Sequence, residues 1–256
     1  MHIKIAYYSG SGNTQYVALL LKRYLSSHHR VSTFFIKKRK KVEDDFDALI
    51  IGTPVYAYKP PNTVLDFIEG LSGYKRPAFV FVTKGLISGD AGRIVALKLK
   101  EMGFVVGGVK DVLMADSLFI LLAKEGSLLH TLMLFPNRGI KHRVKNLAFF
   151  IEKEIESGKE HIPKSKVYVP FTSLVASLFW KKEKKWESEF FADERCDLCG
   201  ACVGLCPTGN ILIEENKVLW DNTCDFCIRC LHRCPQKAIQ IGKYTRKSPR
   251  YRGPLS

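Results

Sequence analysis

All eight cysteines of this 256-residue chain lie in its last quarter, in two runs of identical spacing. Each run reads C-x2-C-x2-C-x3-C-P. The first run contains Cys196, Cys199, Cys202 and Cys206, and the second contains Cys224, Cys227, Cys230 and Cys234. Every cysteine of the second run follows its counterpart by 28 residues, as 224 follows 196. A repeat this strict predicts two similar halves, each too small to fold without a bound metal centre.

The spacing of the thiols indicates which metal centre this is. Three thiolates two residues apart can wrap around one face of a [4Fe–4S] cubane, and the fourth, followed by proline, leads away from it. Structural zinc remains an alternative, although zinc favours separated pairs of ligands in a tetrahedral site. Disulfides fit less well, because the thiols form compact runs and the sequence shows no secretory leader. The runs therefore predict two [4Fe–4S] clusters.

The two runs resemble those of bacterial ferredoxins that carry two clusters. In that family the fourth cysteine of each run ligates the other cluster. The resemblance implies one ligand set of Cys196, Cys199, Cys202 and Cys234, and a second of Cys224, Cys227, Cys230 and Cys206. Such crossed ligation would also join the two halves of the module.

A second motif, near the N-terminus, follows the first predicted strand. It reads Ser9-Gly10-Ser11-Gly12-Asn13-Thr14. Glycines allow backbone N–H groups to close around an anion, hydroxyl groups add donors, and the start of a helix adds a positive dipole end. The motif departs from the dinucleotide fingerprint, because Gln15 stands at its last glycine position, and it lacks the Gly-Lys-Ser/Thr of a P-loop. It therefore predicts a phosphate cradle at the end of a strand.

The elements that position this cradle alternate between strands and helices. Apolar runs predict buried parallel strands at 3–8, 31–36, 48–51, 78–82 and 104–114. Helices are predicted near 14–26, 63–71, 92–102 and 140–155, the last as an apolar stripe that Gly158 ends. The pattern predicts an α/β domain with a doubly wound five-stranded parallel sheet, followed by a small α+β cluster domain.

The loop from Tyr8 to Thr14 resembles the FMN phosphate loop of flavodoxins, and this resemblance covers residues 1–158. It implies that FMN binds here and that two further loops hold its ring. The implied ring contacts are Thr53, Pro54, Val55, Tyr56, Ala57, Thr83, Lys84, Gly85, Gly89 and Asp90. Tyr56 and Tyr58 could stack on the ring or merely cover its rim. Lys84 is either a group beside the N1–C2=O edge of the flavin or a solvated lysine.

The whole chain resembles the family in which a flavodoxin domain is fused to a two-cluster ferredoxin module. We expect a flavodoxin-like domain at 1–158, a linker with an apolar helix at 159–188, a ferredoxin domain at 189–245 and a basic tail at 246–256. The apolar stretches at 112–135 and 167–180 are too short or too interrupted for a membrane span, so we expect a cytoplasmic protein without a transmembrane segment. The second stretch resembles an interfacial anchor as well as a linker. The sequence leaves the oligomeric state open.

The charge of the chain suggests an acidic partner. The formal net charge is +15, and two clusters and an FMN phosphate would reduce it to about +9. A basic surface would steer a redox partner such as a small acidic ferredoxin. Nucleic acid is not expected, because no nucleic-acid-binding motif is present. Three basic residues, Arg229, His232 and Arg233, lie within the second cysteine run, and positive charge there would raise the potential of its cluster.

Three functions are compatible with these parts. The first is an electron relay between the clusters and FMN for a low-potential partner. The second is an FMN-dependent oxidoreductase that reduces a bound organic acceptor such as a quinone, with a pocket formed by the apolar segment Ser117 to Asn137. That segment could instead cover the ferredoxin module. The third is an iron–sulfur redox sensor. NAD(P)H is not expected as the direct donor, because no second glycine-rich dinucleotide site appears.

Overall fold

Five parallel strands form the central sheet of the N-terminal domain. The computed structural model of the chain describes residues 1–38, 43–165, 177 and 187–254. The strands are β1 (His2–Tyr7), β2 (Arg30–Phe35), β3 (Ala48–Pro54), β4 (Pro77–Lys84) and β5 (Val105–Leu113). Their order is β2-β1-β3-β4-β5, and all neighbouring pairs are parallel. This is the 2-1-3-4-5 order of flavodoxin-like doubly wound folds, so the predicted fold class is confirmed.

Helices cover both faces of this sheet. They are α1 (Asn13–Leu25), α2 (Asn62–Glu69), α3 (Ala91–Glu101), α4 (Ser117–Ile120), α5 (Leu128–Leu134) and α6 (Ile140–Ser157), with a 3₁₀ turn at Phe135–Asn137. One apolar core joins α1 and α6 to the sheet, and a second joins α2 and α3 to the opposite face. Gly158 ends α6 with a φ of 60°, as the sequence predicts.

The strands are buried on both sides, which explains their continuous apolar sequences. Every residue of β3 is buried. Along β1, Ile5 packs into one core and Ala6 into the other, because successive side chains point to opposite faces. The strands are parallel, so the loops after β1, β3, β4 and β5 meet at one edge of the sheet.

The C-terminal module consists of two short pairs of antiparallel strands and two short helices. Its elements are β6 (Phe190–Ala192), α7 (Ala201–Leu205), β7 (Ile211–Glu214), β8 (Lys217–Trp220), α8 (Arg229–Arg233) and β9 (Ile239–Ile241). β6 pairs antiparallel with β9, and β7 with β8. The two helices repeat with the same 28-residue offset as the cysteines. The module is therefore the small α+β domain that the cysteine repeat predicts.

The segment between the two domains contributes little to the described structure. The predicted apolar linker helix lies almost entirely outside the described residues, and the predicted domain boundaries stay predictions. None of the helices in the described ranges combines the length and the apolar character needed to cross a bilayer.

The module packs directly against the edge of the sheet where the loops meet. The Lys38 amide donates to the Pro207 carbonyl at 2.8 Å, and Lys37 Nζ donates to the Gly204 carbonyl at 2.8 Å. Cys227 belongs to the apolar core of the N-terminal domain, together with Tyr8 and Ile51. The second cysteine run therefore lies at the loop edge of the sheet.

Candidate cofactor site between the two domains

The predicted phosphate loop connects β1 to α1 and leaves donors available. Gly12 adopts a φ of 119° before the first residue of α1, a conformation that glycine tolerates. Within the described residues, no side chain caps the N-terminus of α1. The Ser9 hydroxyl is buried and, among those same residues, has no hydrogen-bond partner. A buried hydroxyl in a loop at a helix N-terminus fits an anion such as a phosphate group.

A cavity of about 410 Å³ opens beside this loop. Its volume lies within the range typical of ligand pockets. The N-terminal domain contributes Ser9, Gly10, Ser11, Asn13, Thr14, Pro54, Val55, Tyr56, Ala57, Tyr58, Thr83, Lys84, Gly85, Leu86, Ile87 and residues 115–119. Thr14 Oγ1 lies 2.7 Å from Thr83 Oγ1, which ties the phosphate loop to the loop after β4. The structure thus brings most of the predicted flavin contacts around one cavity.

Four predicted contacts, Gly12, Thr53, Gly89 and Asp90, lie outside the lining of this cavity. The Thr53 hydroxyl donates to the Pro54 carbonyl, and the Asp90 carboxylate accepts from Ser165. A Cβ at Gly89 would lie 2.5 Å from the Tyr58 carbonyl oxygen. These residues shape the neighbouring loops instead of facing the cavity.

Lys84 forms an ion pair at the end of β4. Its Nζ lies 3.1 Å from the Asp111 carboxylate on the adjacent strand, and Ser88 donates to the same carboxylate. Lys84 lines the cavity, and this ion pair offsets its charge; its place beside the flavin ring stays a prediction.

The tyrosines of the loop after β3 both line the cavity. Tyr58 and its neighbour Ala57 have positive φ values of 70° and 42°, and Tyr56 and Lys59 exchange backbone hydrogen bonds across this turn. Non-glycine residues with positive φ are uncommon outside turns and functional loops. Burial, and then the neighbouring Cys227 group, raise the pKa of Tyr56 well above its usual value. Tyr56 therefore keeps its proton.

The cysteines line two further cavities, and each cavity takes thiols from both runs. One is lined by Cys196, Cys199, Cys202 and Cys234, and the other by Cys206, Cys224, Cys227 and Cys230. These are the crossed sets that the ferredoxin resemblance implies. Burial raises the pKa of Cys227 to about 11 and also raises the pKa of Cys230. Thiolates in such a site require neighbouring cations, which iron ions would supply.

The arrangement of the thiols also bears on which metal centre the two cavities would hold, a [4Fe–4S] cluster or a zinc ion. Across the described ranges, no group of three or more His, Cys, Asp or Glu side chains is placed to hold a single metal ion. Four thiols nevertheless line each cavity. A cubane takes four thiolates, so the four thiols of each cavity fit a [4Fe–4S] cluster; a four-thiolate zinc site stays the alternative.

The C-terminal module completes the first cavity. Phe226 and Ile228, on either side of Cys227, line it together with the phosphate loop. A Cβ at Gly10 would lie 2.3 Å from the Cys227 carbonyl oxygen, so glycine is required there by the close approach of the cysteine loop. Arg229 Nη1 donates to the carbonyls of Ser9 at 2.9 Å and Gly10 at 3.2 Å. No sequence pattern predicted these contacts, because backbone carbonyls accept them.

The apolar segment after β5 contacts both the cavity and the C-terminal module. Leu118 and Phe119 line the cavity, whereas Leu121 packs into the core of the C-terminal module. Asp116 begins α4 by accepting from the amides of Leu118 and Phe119. The segment therefore bridges the cavity and the module.

His232 carries no positive charge at neutral pH. Burial, and then nearby Arg250, lower the pKa of its ring to about 3. The hypothesis of a positively charged second cysteine run therefore rests on Arg229 and Arg233 alone.

Comparison with known families agrees with this architecture. Residues 191–212, which contain the first cysteine run, match a family described as a 4Fe-4S binding domain. The chain thus combines a domain with the strand order of flavodoxin-like folds and a module whose first cysteine run matches a 4Fe-4S binding domain. None of the curated proteins compared with it matches.

Several solved structures resemble the chain over about the length of the flavodoxin-like domain. A flavodoxin from Streptococcus pneumoniae TIGR4 is 18% identical, and the alignment covers 61% of this chain and 99% of that one, with a TM-score of 0.44. A flavodoxin from the domain Archaea is 19% identical with the same coverage and TM-score. Flavodoxin 2 from Bacillus cereus is 22% identical, with coverage of 60% and 99% and a TM-score of 0.44.

Proposed function

We propose that this protein relays electrons between a redox partner and FMN through two [4Fe–4S] clusters. FMN bound in the cavity would take up two electrons and release them singly, whereas each cluster would pass one. The protein's part is to fix the order and the environment of these centres. The proposed FMN phosphate site is the loop from Ser9 to Thr14, and the proposed cluster ligands are the two crossed cysteine sets.

One observation carries this proposal. Phe226 and Ile228 flank Cys227, a proposed cluster ligand, and line the same cavity as the phosphate loop. Ile228 also lines the cavity of the Cys227 set, so the proposed ring site and the proposed cluster site would be separated by a single layer of side chains. A relay requires that the two sites lie close together, whereas two domains that bind their cofactors independently would not require it.

The two cysteine sets have different positions in this arrangement. The set that contains Cys227 adjoins the flavodoxin-like domain, whose core includes that residue. In the other set, Cys199 is exposed. We therefore assign the Cys227 set to the cluster next to the flavin, and the Cys199 set to the cluster that meets the partner.

The partner that fits best is acidic. The chain has a formal charge of +15, and a basic surface accelerates the encounter with an acidic electron carrier. A small low-potential ferredoxin combines that charge with the required one-electron chemistry.

The relay is tested by reduction of the flavin with and without clusters. The chain is purified without oxygen, its iron, sulfide and FMN are quantified, and a reduced low-potential ferredoxin is added at saturating FMN. We expect the visible flavin absorbance to bleach only when the clusters are intact, and NADPH alone to leave it unchanged. Equal bleaching after removal of the clusters would contradict the relay.

A further inference from the structure

The C-terminal module and tail hold the phosphate loop from outside the cavity. Arg229, which is only 8% exposed, donates to two carbonyls of that loop. Its guanidinium lies 4.8 Å from the centre of the Phe35 ring, on β2. The arginine thus connects the helix of the second cysteine run to the turn that would bind phosphate.

The tail makes a second set of contacts through Tyr251. Its hydroxyl donates to Asn13 Oδ1 at 2.6 Å and accepts from Asn137 Nδ2 at 2.9 Å. Asn13 Nδ2 donates to the Ala115 carbonyl, and the Ala115 amide donates to Asn137 Oδ1. These four bonds close a ring that fixes Asn13, the first residue of α1, against the loop after β5. Tyr251 is 6% exposed, and Asn13 and Asn137 are half-buried.

The tail itself is anchored on the helix that carries cluster ligands. The Tyr251 amide donates to His232 Nδ1 at 3.2 Å, and His232 lies on α8 between Cys230 and Cys234. Arg233 Nη2 donates to the Arg252 carbonyl at 3.3 Å. A Cβ at Gly253 would lie 2.9 Å from the carbonyl carbon of Gly12, so tail and phosphate loop meet backbone to backbone.

These contacts link two binding events. A small cluster module gains much of its folding free energy from metal binding, so loss of a cluster would loosen α8 and the tail. A loop that is already ordered binds its ligand with a smaller entropic cost. We infer that Tyr251 and Arg229 are positioning residues for the phosphate loop, so that assembled clusters raise the affinity for FMN. By linkage, bound FMN would equally protect the clusters.

The inference rests on the proposed cofactors but not on electron transfer. It is tested by fluorescence titration of flavin-free, cluster-loaded full-length protein with FMN and with riboflavin, which lacks the phosphate. We expect Tyr251→Phe to raise the Kd for FMN by about three- to tenfold and to leave the Kd for riboflavin unchanged. Tyr244→Phe is the matched control, because Tyr244 lies just before the tail and is 74% exposed.

Two further measurements keep the inference falsifiable. Arg229→Lys should show the same selective loss of FMN affinity. Removal of the clusters from the wild-type chain by chelation should raise the Kd for FMN by more than either substitution does. Circular dichroism and iron content identify a variant that fails to fold. Unchanged FMN affinity in Tyr251→Phe and in the cluster-free chain would overturn the inference and leave the relay intact. Failure of the wild-type chain to bind FMN at all would instead overturn the proposed function.

Discussion

In the proposed phosphate loop, the Ser9 hydroxyl would donate a hydrogen bond to a bound anion. This hydroxyl is buried without a partner among the described residues, and such a group costs free energy unless it is hydrogen-bonded. Its position in a glycine-rich turn after a strand could be predicted from sequence, because glycine and small hydroxyl residues are required there. The same reasoning could not find Tyr251, since a lone tyrosine in a basic tail has no local pattern.

Replacement of Ser9 by alanine tests the hypothesis that the Ser9 hydroxyl contacts the FMN phosphate. We expect Ser9→Ala to weaken FMN binding by about 2 kcal/mol, the typical value for a hydrogen bond to a charged group. Riboflavin binding should change little. Fluorescence titration measures both, with Ser26→Ala at the other end of α1 as control. Equal weakening of both flavins would show that Ser9 does not contact phosphate.

Arg229 gives a second prediction at this scale. Arg229 is buried and directly precedes Cys230 in the second run, and a positive charge near a cluster stabilises its reduced, more negative form. We expect Arg229→Ala to lower the midpoint potential of one cluster by tens of millivolts, on the order expected for one charge at partial burial. Redox titration followed by paramagnetic resonance measures both clusters. Unchanged potentials, with both clusters present, would remove this role from Arg229.

At the scale of elements, the order of strands and helices could be predicted because burial imposes periodicity. The buried parallel strands appear as apolar runs, and α6 appears as a stripe whose Ile140, Val144 and Ile151 are buried. The cysteine repeat predicts that the module is built from two similar halves, but it did not locate α7 and α8, which end just before Cys206 and Cys234. The three-residue pairing of β6 with β9 was not predicted, since strands this short depend on contacts distant in sequence.

The β6–β9 pairing is supported by a buried carboxylate. Asp193 accepts from Arg195 Nη2 at 2.5 Å and from Gln240 Nε2 of β9 at 3.1 Å, and its side chain is 1% exposed. The hydrogen bond from Arg195 is the main reason that the pKa of Asp193 lies below its usual value. Because the folded-state pKa is lower than the unfolded value, the carboxylate stabilises the module above about pH 4. This stabilisation is lost as the pH falls through the folded-state pKa.

Asp193→Asn should therefore destabilise the protein in a pH-dependent way. We expect a loss of about 2 kcal/mol near neutral pH, and a difference from the wild type that shrinks as the pH falls below about 4. Anaerobic urea unfolding followed by circular dichroism measures this, with the exposed Asp221→Asn as control. A difference that is independent of pH would contradict the role of the charge.

At the scale of the whole molecule, the sequence predicted both parts but not how they meet. The contacts that dock the module use the carbonyls of Ser9, Pro207 and Cys227, and a carbonyl is the same in every residue. The traces in the sequence are glycines at close approaches such as Gly10 and Gly253, and the phosphate loop alone would also explain Gly10. The joint cavity is thus a property of the assembled chain.

The order of the centres is the central claim of this account. Stopped-flow mixing of the anaerobic protein with a reduced low-potential ferredoxin follows iron–sulfur and flavin absorbance together, at saturating FMN. In the wild type we expect the iron–sulfur change to precede flavin reduction. In Cys227→Ser we expect the cluster of the Cys199 set to be reduced while the flavin stays oxidised. Flavin reduction in Cys227→Ser at the wild-type rate would show that electrons reach the flavin by another route.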